Sequence, residues 1–407
     1  MFAVPWIRYL FVVLLTASES IAYILIPPYM QQGGFDYALI GLLVGITGVA
    51  SLGSRFPSGM FYRRHRAKWL TSVAMAMVGV TFIAYPYADN IFWIALALAA
   101  IGLGSGVATT VNMAMFMDAI PLGADKHHAM SFYAATISFG HLLGGLIGGS
   151  AADAFGFIPA FQLAAASTLG AIGILWLDRL PLPIASTRLA QQARAANQIP
   201  RRERLAATLR LFAEPRMVAI SLVAFLLNFL HSLVTTFYPL YVLAGGMSLS
   251  EVAVLKSMHS ITNTFGRPIA GAPIRWLGAD RAAYFGLALL AGFITLLPGQ
   301  SLLWAAGALL AACGLMRAVV MVANTVVMAD LDETRISRGA ASGFYHSSKD
   351  VGSLTSPTIC GAVASIAGLG TMLVAAPIVS TGLFFGVVGL MSRRSRTRVA
   401  TATPAEA

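Results

Sequence analysis

Apolar residues occur along this chain in long blocks separated by short polar segments. Twelve blocks stand out, at 7–29, 37–58, 70–87, 91–117, 130–152, 158–178, 216–242, 250–272, 282–298, 301–328, 341–363 and 370–391. A helix needs roughly 20 mostly apolar residues to cross the hydrocarbon core of a bilayer, so the pattern predicts twelve membrane-spanning helices. The first block is too long for a signal peptide, lacks a clear small-residue cleavage site and runs at once into a second span, so it reads as a retained helix. A polar stretch rich in Arg, Ala and Gln divides the blocks six and six. The expected organisation is an N-terminal six-helix half (1–178), a cytoplasmic linker (179–215), a C-terminal six-helix half (216–392) and a basic cytoplasmic tail (393–407).

The two halves repeat each other. Sliding the chain on itself by 212 positions, without a gap, brings Pro27 onto Pro239, Tyr29 onto Tyr241, and Gly33 and Gly34 onto Gly245 and Gly246. The same diagonal pairs Arg55 with Arg267, Arg63 with Arg275, Asn112 with Asn324, Asp118 with Asp330, and Phe132-Tyr133 with Phe344-Tyr345. An even number of spans per copy makes both enter the membrane the same way round. Such parallel repeats are related by an axis along the membrane normal and hold a substrate between them.

Composition agrees with the block pattern. The chain is 57% hydrophobic and 11% charged, where a soluble domain carries about a quarter charged residues. The formal charge of +11 could suggest a nucleic-acid partner, but its placement excludes that. Arg and Lys crowd 55–68, 179–216, 267–281, 335–338 and 393–398, whereas the alternate loops near 31–36, 88–90, 153–157, 244–251, 299–300 and 364–369 contain none. By the positive-inside rule the N-terminus, linker and C-terminus are cytoplasmic, and the basic tail sits near anionic lipid headgroups. Cys313 and Cys360 fall inside spans and offer neither a disulfide framework nor a metal-ligand spacing, so they read as packing residues. No metal and no cofactor is expected.

Two motifs resemble the major facilitator superfamily. The loop after the second span, Gly59-Met-Phe-Tyr-Arg63-Arg64-His65-Arg66-Ala-Lys68, resembles that family's Gly-x-x-x-Asp-Arg-x-Gly-Arg-Arg loop, with Arg63 for the aspartate and Arg66 for the second glycine. Span 5 reads Gly140-His-Leu-Leu-Gly144-Gly145-Leu-Ile-Gly148-Gly149 and is similar to the glycine-rich fifth helix of the drug/proton antiporter branch, with Gly145 where that branch has proline. Together with the 6 + 6 layout, the resemblance implies an all-α membrane fold of two six-helix bundles, with spans 3, 6, 9 and 12 facing lipid. It also implies transport of a small molecule by alternating access. Segments 70–87, 158–177, 282–298 and 370–391 lack Asp, Glu, Lys, Arg and His, as a lipid-facing position requires.

The deep ionisable residues lie in the other spans. They are Glu19, His141, His231, Lys256, His259, Arg317, His346, Lys349 and Asp350. A charge at a helix centre costs about 2.5–3.5 kcal/mol on insertion scales, so such side chains face protein or water. Helical spacing aligns Thr16, Glu19 and Tyr23, and the repeat places Asn228, His231 and Thr235 on the matching face of span 7. Glu19 and His231 are therefore expected to point into one cavity from opposite sides. Glu19 reads as a proton-coupling carboxylate, a counter-charge for substrate, or one tied to a partner between helices. His141 and His231 are proton shuttles near neutral pH or neutral hydrogen-bonding groups. Lys256, His259 and Asn263 form one stripe; Arg317 and Asn324 share a face two turns apart. Arg317 reads as a fork for a carboxylate or phosphate, or as an ion-pair partner of Asp350 or Glu19. Lys349 and Asp350 are about 100° apart around their helix and cannot point the same way. Counting Lys256, Arg317 and Lys349 against Glu19 and Asp350 leaves one positive charge in excess, favouring an anionic or zwitterionic solute. At the cytoplasmic ends, Arg55 or Arg63 with Asp118, and Arg267 or Arg275 with Asp330, are candidate gate pairs.

The expected protein is a monomeric secondary transporter, no enzyme, in the inner or plasma membrane, whose partners are a small solute, protons and lipids. Proton-coupled export is favoured; proton-symport uptake of an organic anion is the alternative, and a non-transporting membrane sensor is the alternative of another class. Nucleophile–base, metal-ligand and nucleotide-binding motifs are absent from the sequence; Gly102-Leu-Gly104-Ser-Gly106 reads as helix packing inside a span.

Overall fold

A computed structural model describes residues 5–60, 64–120, 126–177, 215–300, 302–329 and 338–401. The described part of the first half holds α1 (Trp6–Gln32), α2 (Tyr37–Met60), α3 (Arg64–Ala84), α4 (Ile91–Ala119), α5 (Lys126–Phe155) and α6 (Phe157–Leu177). The second half holds α7 (Pro215–Ala244), α8 (Leu249–Ile269), α9 (Ala279–Leu296), α10 (Leu303–Ala329), α11 (Arg338–Ala367) and α12 (Leu369–Thr401), with a two-turn helix, Gly271–Leu277, after α8. No strand occurs among the described residues. The expected linker 179–215 and the end of the tail lie almost wholly outside them.

Nine of these helices are apolar and long enough to cross a bilayer. The other three long ones, α5, α8 and α11, carry much of the polar chemistry, and the packing explains how that is tolerated. Across the halves α5 packs on α8 and α2 on α11, while α1 meets α7 along the centre. Polar side chains on these helices are thereby turned to protein or cavity instead of lipid. The outer helices show the opposite character. Val73 and Val80 of α3, Leu169 of α6, Phe285 of α9 and Val379 and Leu383 of α12 are exposed, an apolar surface suited to acyl chains.

The 212-residue repeat recurs in the hydrogen bonds. Ser20 donates to the His141 carbonyl at 2.7 Å, and Ser232 to that of Ser353 at 3.0 Å. Tyr29 donates to the Pro86 carbonyl at 2.8 Å, and Tyr241 to that of Pro298 at 2.7 Å. Gly34 and Gly246 end α1 and α7 with φ of 78° and 92°, the left-handed turn that a Cβ would strain.

We call the face bearing the α1–α2 and α7–α8 turns the loop end, and the opposite face the terminal end. The halves close on each other at the loop end. A Cβ on Gly41, Gly45 or Gly48 of α2 would run into Pro357, Thr358 or Leu354 of α11, and one on Gly149 of α5 into Leu249 and Ala253 of α8. Ser365 of α11 donates to the Asp36 carboxylate and accepts from the Ala38 amide at 3.0 Å. Asp153, beyond the expected span in α5, accepts from the amides of Leu249 (3.0 Å) and Ser250 (2.6 Å), the unpaired donors at the start of α8. Partial burial pushes its carboxyl up, but hydrogen bonds from Ser250, Leu249 and Ser248 outweigh that and hold it below the usual aspartate value. The rest of the glycine run in α5 serves packing within its half: Gly140, Gly144 and Gly148 abut Val13, Ala17 and Ile21 of α1.

Candidate functional site

Between the halves lies a cavity of about 340 Å³, reached by Tyr23 of α1, Arg55 of α2, His141 of α5, His231 of α7, Lys256 of α8 and Asp350 of α11. Four deep residues expected from the sequence, His141, His231, Lys256 and Asp350, therefore share one space. His141 Nδ1 is 2.8 Å from the Ile137 carbonyl. A carbonyl only accepts, so Nδ1 carries the hydrogen and Nε2 is the acceptor of the neutral ring. His259 Nδ1 meets the Leu310 carbonyl at 3.2 Å in the same way. The His231 ring stacks on that of His259, centroids 5.4 Å apart and 21° from parallel.

Glu19 departs from expectation. It is 7% exposed and does not line this cavity; Tyr23, one turn on, does. The carboxylate turns toward α4, where Ser105 hydrogen-bonds it, and Arg55 and Tyr133 are near enough to act on it through space. Its Oε1 has no partner among the described residues. Helical spacing fixes which face Glu19 occupies, but not which neighbouring helix comes closest.

The repeat carries the comparison of Glu19 with His231 one step further. The second-half counterparts of Glu19 and Ser105 are His231 and Arg317. In the first half Asn112 donates to Tyr133 Oη at 3.2 Å; in the second Asn324 hydrogen-bonds Tyr345 and donates to the Ile220 carbonyl at 3.0 Å. One framework thus surrounds a buried acid in one half and partly buried bases in the other. Arg317 makes no ion pair among the described residues, neither with Asp350 nor with Glu19. Its guanidinium donates to the Leu227 carbonyl (3.5 Å) and Asn228 Oδ1 (3.4 Å), and its Nε has no partner there. It acts through space on His231, His259 and Lys349. Lys349 Nζ stands 5.7 Å from the Tyr345 ring centroid, with Asp350 as its acidic neighbour. Tyr133 and Tyr345 lie on the repeat diagonal, but nothing in the sequence links them to Asn112 and Asn324 on another helix.

The chain matches the sequence profile of the Major Facilitator Superfamily over residues 9–357. It belongs to that superfamily. No curated protein sequence matches it. Among solved structures, a bacterial homolog of the human lysosomal transporter Spinster, inward-facing and unoccupied, superposes with TM-score 0.74 at 15% identity, covering 99% of this chain and 98% of that one. The nucleoside transporter NupG superposes with TM-score 0.76 at 14% identity, covering 95% and 98%. At these identities the likeness speaks for the fold. A facilitator-superfamily protein is an integral membrane protein and a secondary transporter of a small molecule by alternating access, not an enzyme.

One of the expected gate residues of this superfamily member reaches across the halves. Arg55 reaches across to Asp350, Nη1 to Oδ1 3.5 Å, with the two side chains 47% and 26% exposed. The counterparts on the repeat are Arg267 and Ser138, which cannot form an ion pair, so this bridge exists on one side only. Asp118 lies in the last turn of α4 and Arg267 in that of α8, where Arg267 Nε has no partner among the described residues. Arg275 is on the two-turn helix. Arg63, Asp330 and the side chain of His346 lie outside what is described.

Proposed function

We propose that this transporter exports a small organic solute bearing a carboxylate or phosphate group, alone or with an amine, in exchange for protons. The observation that carries the reading is the pair of partly buried cations Lys256 and Arg317, set deep between the helices, which have no acidic partner among the described residues. An uncompensated buried charge is costly, and a bound anionic group supplies the missing counter-charge. Arg317 offers a planar fork suited to a carboxylate or phosphate, with Lys256 as a point charge. Glu19, buried beside Ser105 with Arg55 and Tyr133 near, is the proton carrier. Opening and closing of the cavity change the water and cations around it, and so its proton affinity. The arginine-rich terminal end is cytoplasmic by the positive-inside rule, which makes a closed loop end an inward-open arrangement, with the charged groups awaiting a cytoplasmic solute.

The test is a thermal-shift panel on detergent-purified protein at about pH 6 and pH 8, covering small carboxylates, organophosphates, zwitterions, nucleosides and lipophilic cations. A ligand at about 100 times its Kd stabilises the fold by about 2.7 kcal/mol. Stabilisation by anions or zwitterions, lost in Arg317→Ala, supports the reading. Stabilisation by lipophilic cations, lost in Glu19→Gln, overturns it. In proteoliposomes loaded with the hit, an outward pH gradient distinguishes export from symport by the direction in which solute accumulates. Glu19→Gln is expected to lose gradient-driven accumulation while retaining solute-for-solute exchange.

A further inference from the structure

Beside the central cavity, within the second half, the structure holds a small pocket of about 30 Å³ between α7, α8 and α10. Its lining includes Thr235 and Tyr238 from α7, Lys256 and His259 from α8, and Leu310 from α10, and the rest is apolar. Two of these side chains, each more than nine-tenths buried, carry polar atoms without a partner among the described residues: Tyr238 Oη and His259 Nε2. Buried polar atoms are nearly always hydrogen-bonded, so two in one pocket call for an occupant. Lys256 belongs to the walls of both spaces and stands between them.

We propose that this pocket binds a single monatomic anion, chloride in a physiological medium, as a fixed counter-ion for the second half. The space is too small for an organic solute and large enough for one halide or water. The surrounding charge selects between those two. The titratable groups about His259 are Tyr238 and the stacked His231 from α7, Lys256 on its own helix and Arg317 from α10. None is a carboxylate. A water would satisfy Tyr238 and His259 but leave the ammonium uncompensated; a halide accepts from Lys256 and Tyr238 and neutralises one charge. The inference shares Lys256 with the reading above and leaves Arg317 as the cation that the solute's anionic group meets; the test below contains no organic solute, so the two fail separately.

The test is made without organic solute, by thermal shift of the purified full chain in sodium chloride or bromide against sodium gluconate at equal ionic strength. The expected result is a rise of Tm in chloride or bromide that saturates with halide concentration. The rise is lost in Lys256→Met and weakened at least tenfold in Tyr238→Phe. A bromide soak should place an anomalous peak between Tyr238 and Lys256. Equal Tm in halide and gluconate overturns the proposal, as does a halide effect of the same size in the wild type and in Tyr238→Phe. Should Lys256→Met fail to fold, the bromide position in the wild type and the Tyr238→Phe titration decide.

Discussion

Replacing Gly41 by alanine should alter the balance of the two halves without disturbing either one. A methyl there would overlap the Pro357 peptide of α11, with the Pro357 carbonyl carbon at 2.9 Å and Gly361 Cα at 3.1 Å. These are backbone atoms, so no rotamer change relieves the overlap; α2 and α11 must part at the loop end. Overpacking of this kind costs about 1–3 kcal/mol. All of it falls on the state in which the halves touch there, because α2 meets α11 only across the interface. The equilibrium should therefore move by roughly 5- to 150-fold toward the arrangement open at the loop end. Gly53→Ala, where a Cβ meets nothing within 4 Å, is the neutral control on the same helix. Gly140→Ala, which strikes Val13 within the first half, should lower Tm without shifting the balance. Spin labels at Ala88 and Gln300, both in loop-end turns and one in each half, would report the spacing by pulsed dipolar spectroscopy. An unchanged distance distribution in a stable Gly41→Ala protein would refute the argument that this contact defines the closed state.

Three further outcomes follow from the same interface and its surroundings. Arg55→Ala or Asp350→Asn removes a bridge between part-exposed side chains, worth about 0.2–1 kcal/mol, so either should shift the loop-end distance balance by no more than about fivefold, with little effect of the second change once the first is made. Asp153→Asn should loosen the loop end at neutral pH by taking away the charge that caps α8. Since the Asp153 carboxyl lies below its ordinary value in the closed state, its contribution is fully present above the ordinary value and lost as pH falls through the depressed one. The spin-label distance should thus hold steady from pH 8 to 5 and lengthen only below about pH 4. Gly34→Ala and Gly246→Ala force a side chain into a left-handed turn, and each should lower stability by about 1 kcal/mol in denaturant melts, alike because the turns are alike.

Much of this architecture can be read from the chain. Block hydrophobicity marks the spans because an apolar helix must be about as long as the bilayer is thick. The repeat diagonal foretells local details as fine as the Ser20 and Ser232 bonds, since equivalent residues on equivalent helices meet equivalent neighbours. What the diagonal cannot contain is the register between the halves. Arg55 pairs with Asp350 because α2 and α11 lie together when the loop end is closed, and that closeness is a property of one state of a moving molecule. Glu19 is obscure for a second reason. Its face was evident from Thr16 and Tyr23, but its contact with Ser105 depends on how closely α4 approaches, and no spacing within α1 encodes that.

The turns at the loop end have a practical consequence. α5 passes to α6 through Gly156 alone and α11 to α12 through Gly368 alone, while α1–α2 and α7–α8 are joined by four residues each. No long segment covers this face. An antibody fragment or cyclic peptide selected against it would find only the tips of helix pairs, spaced by the distance between the halves, and a footprint of ordinary size would rest on both at once. Such a reagent would grip one spacing and not the other, and could hold the transporter in a single state for imaging or for stopping transport from that side of the membrane.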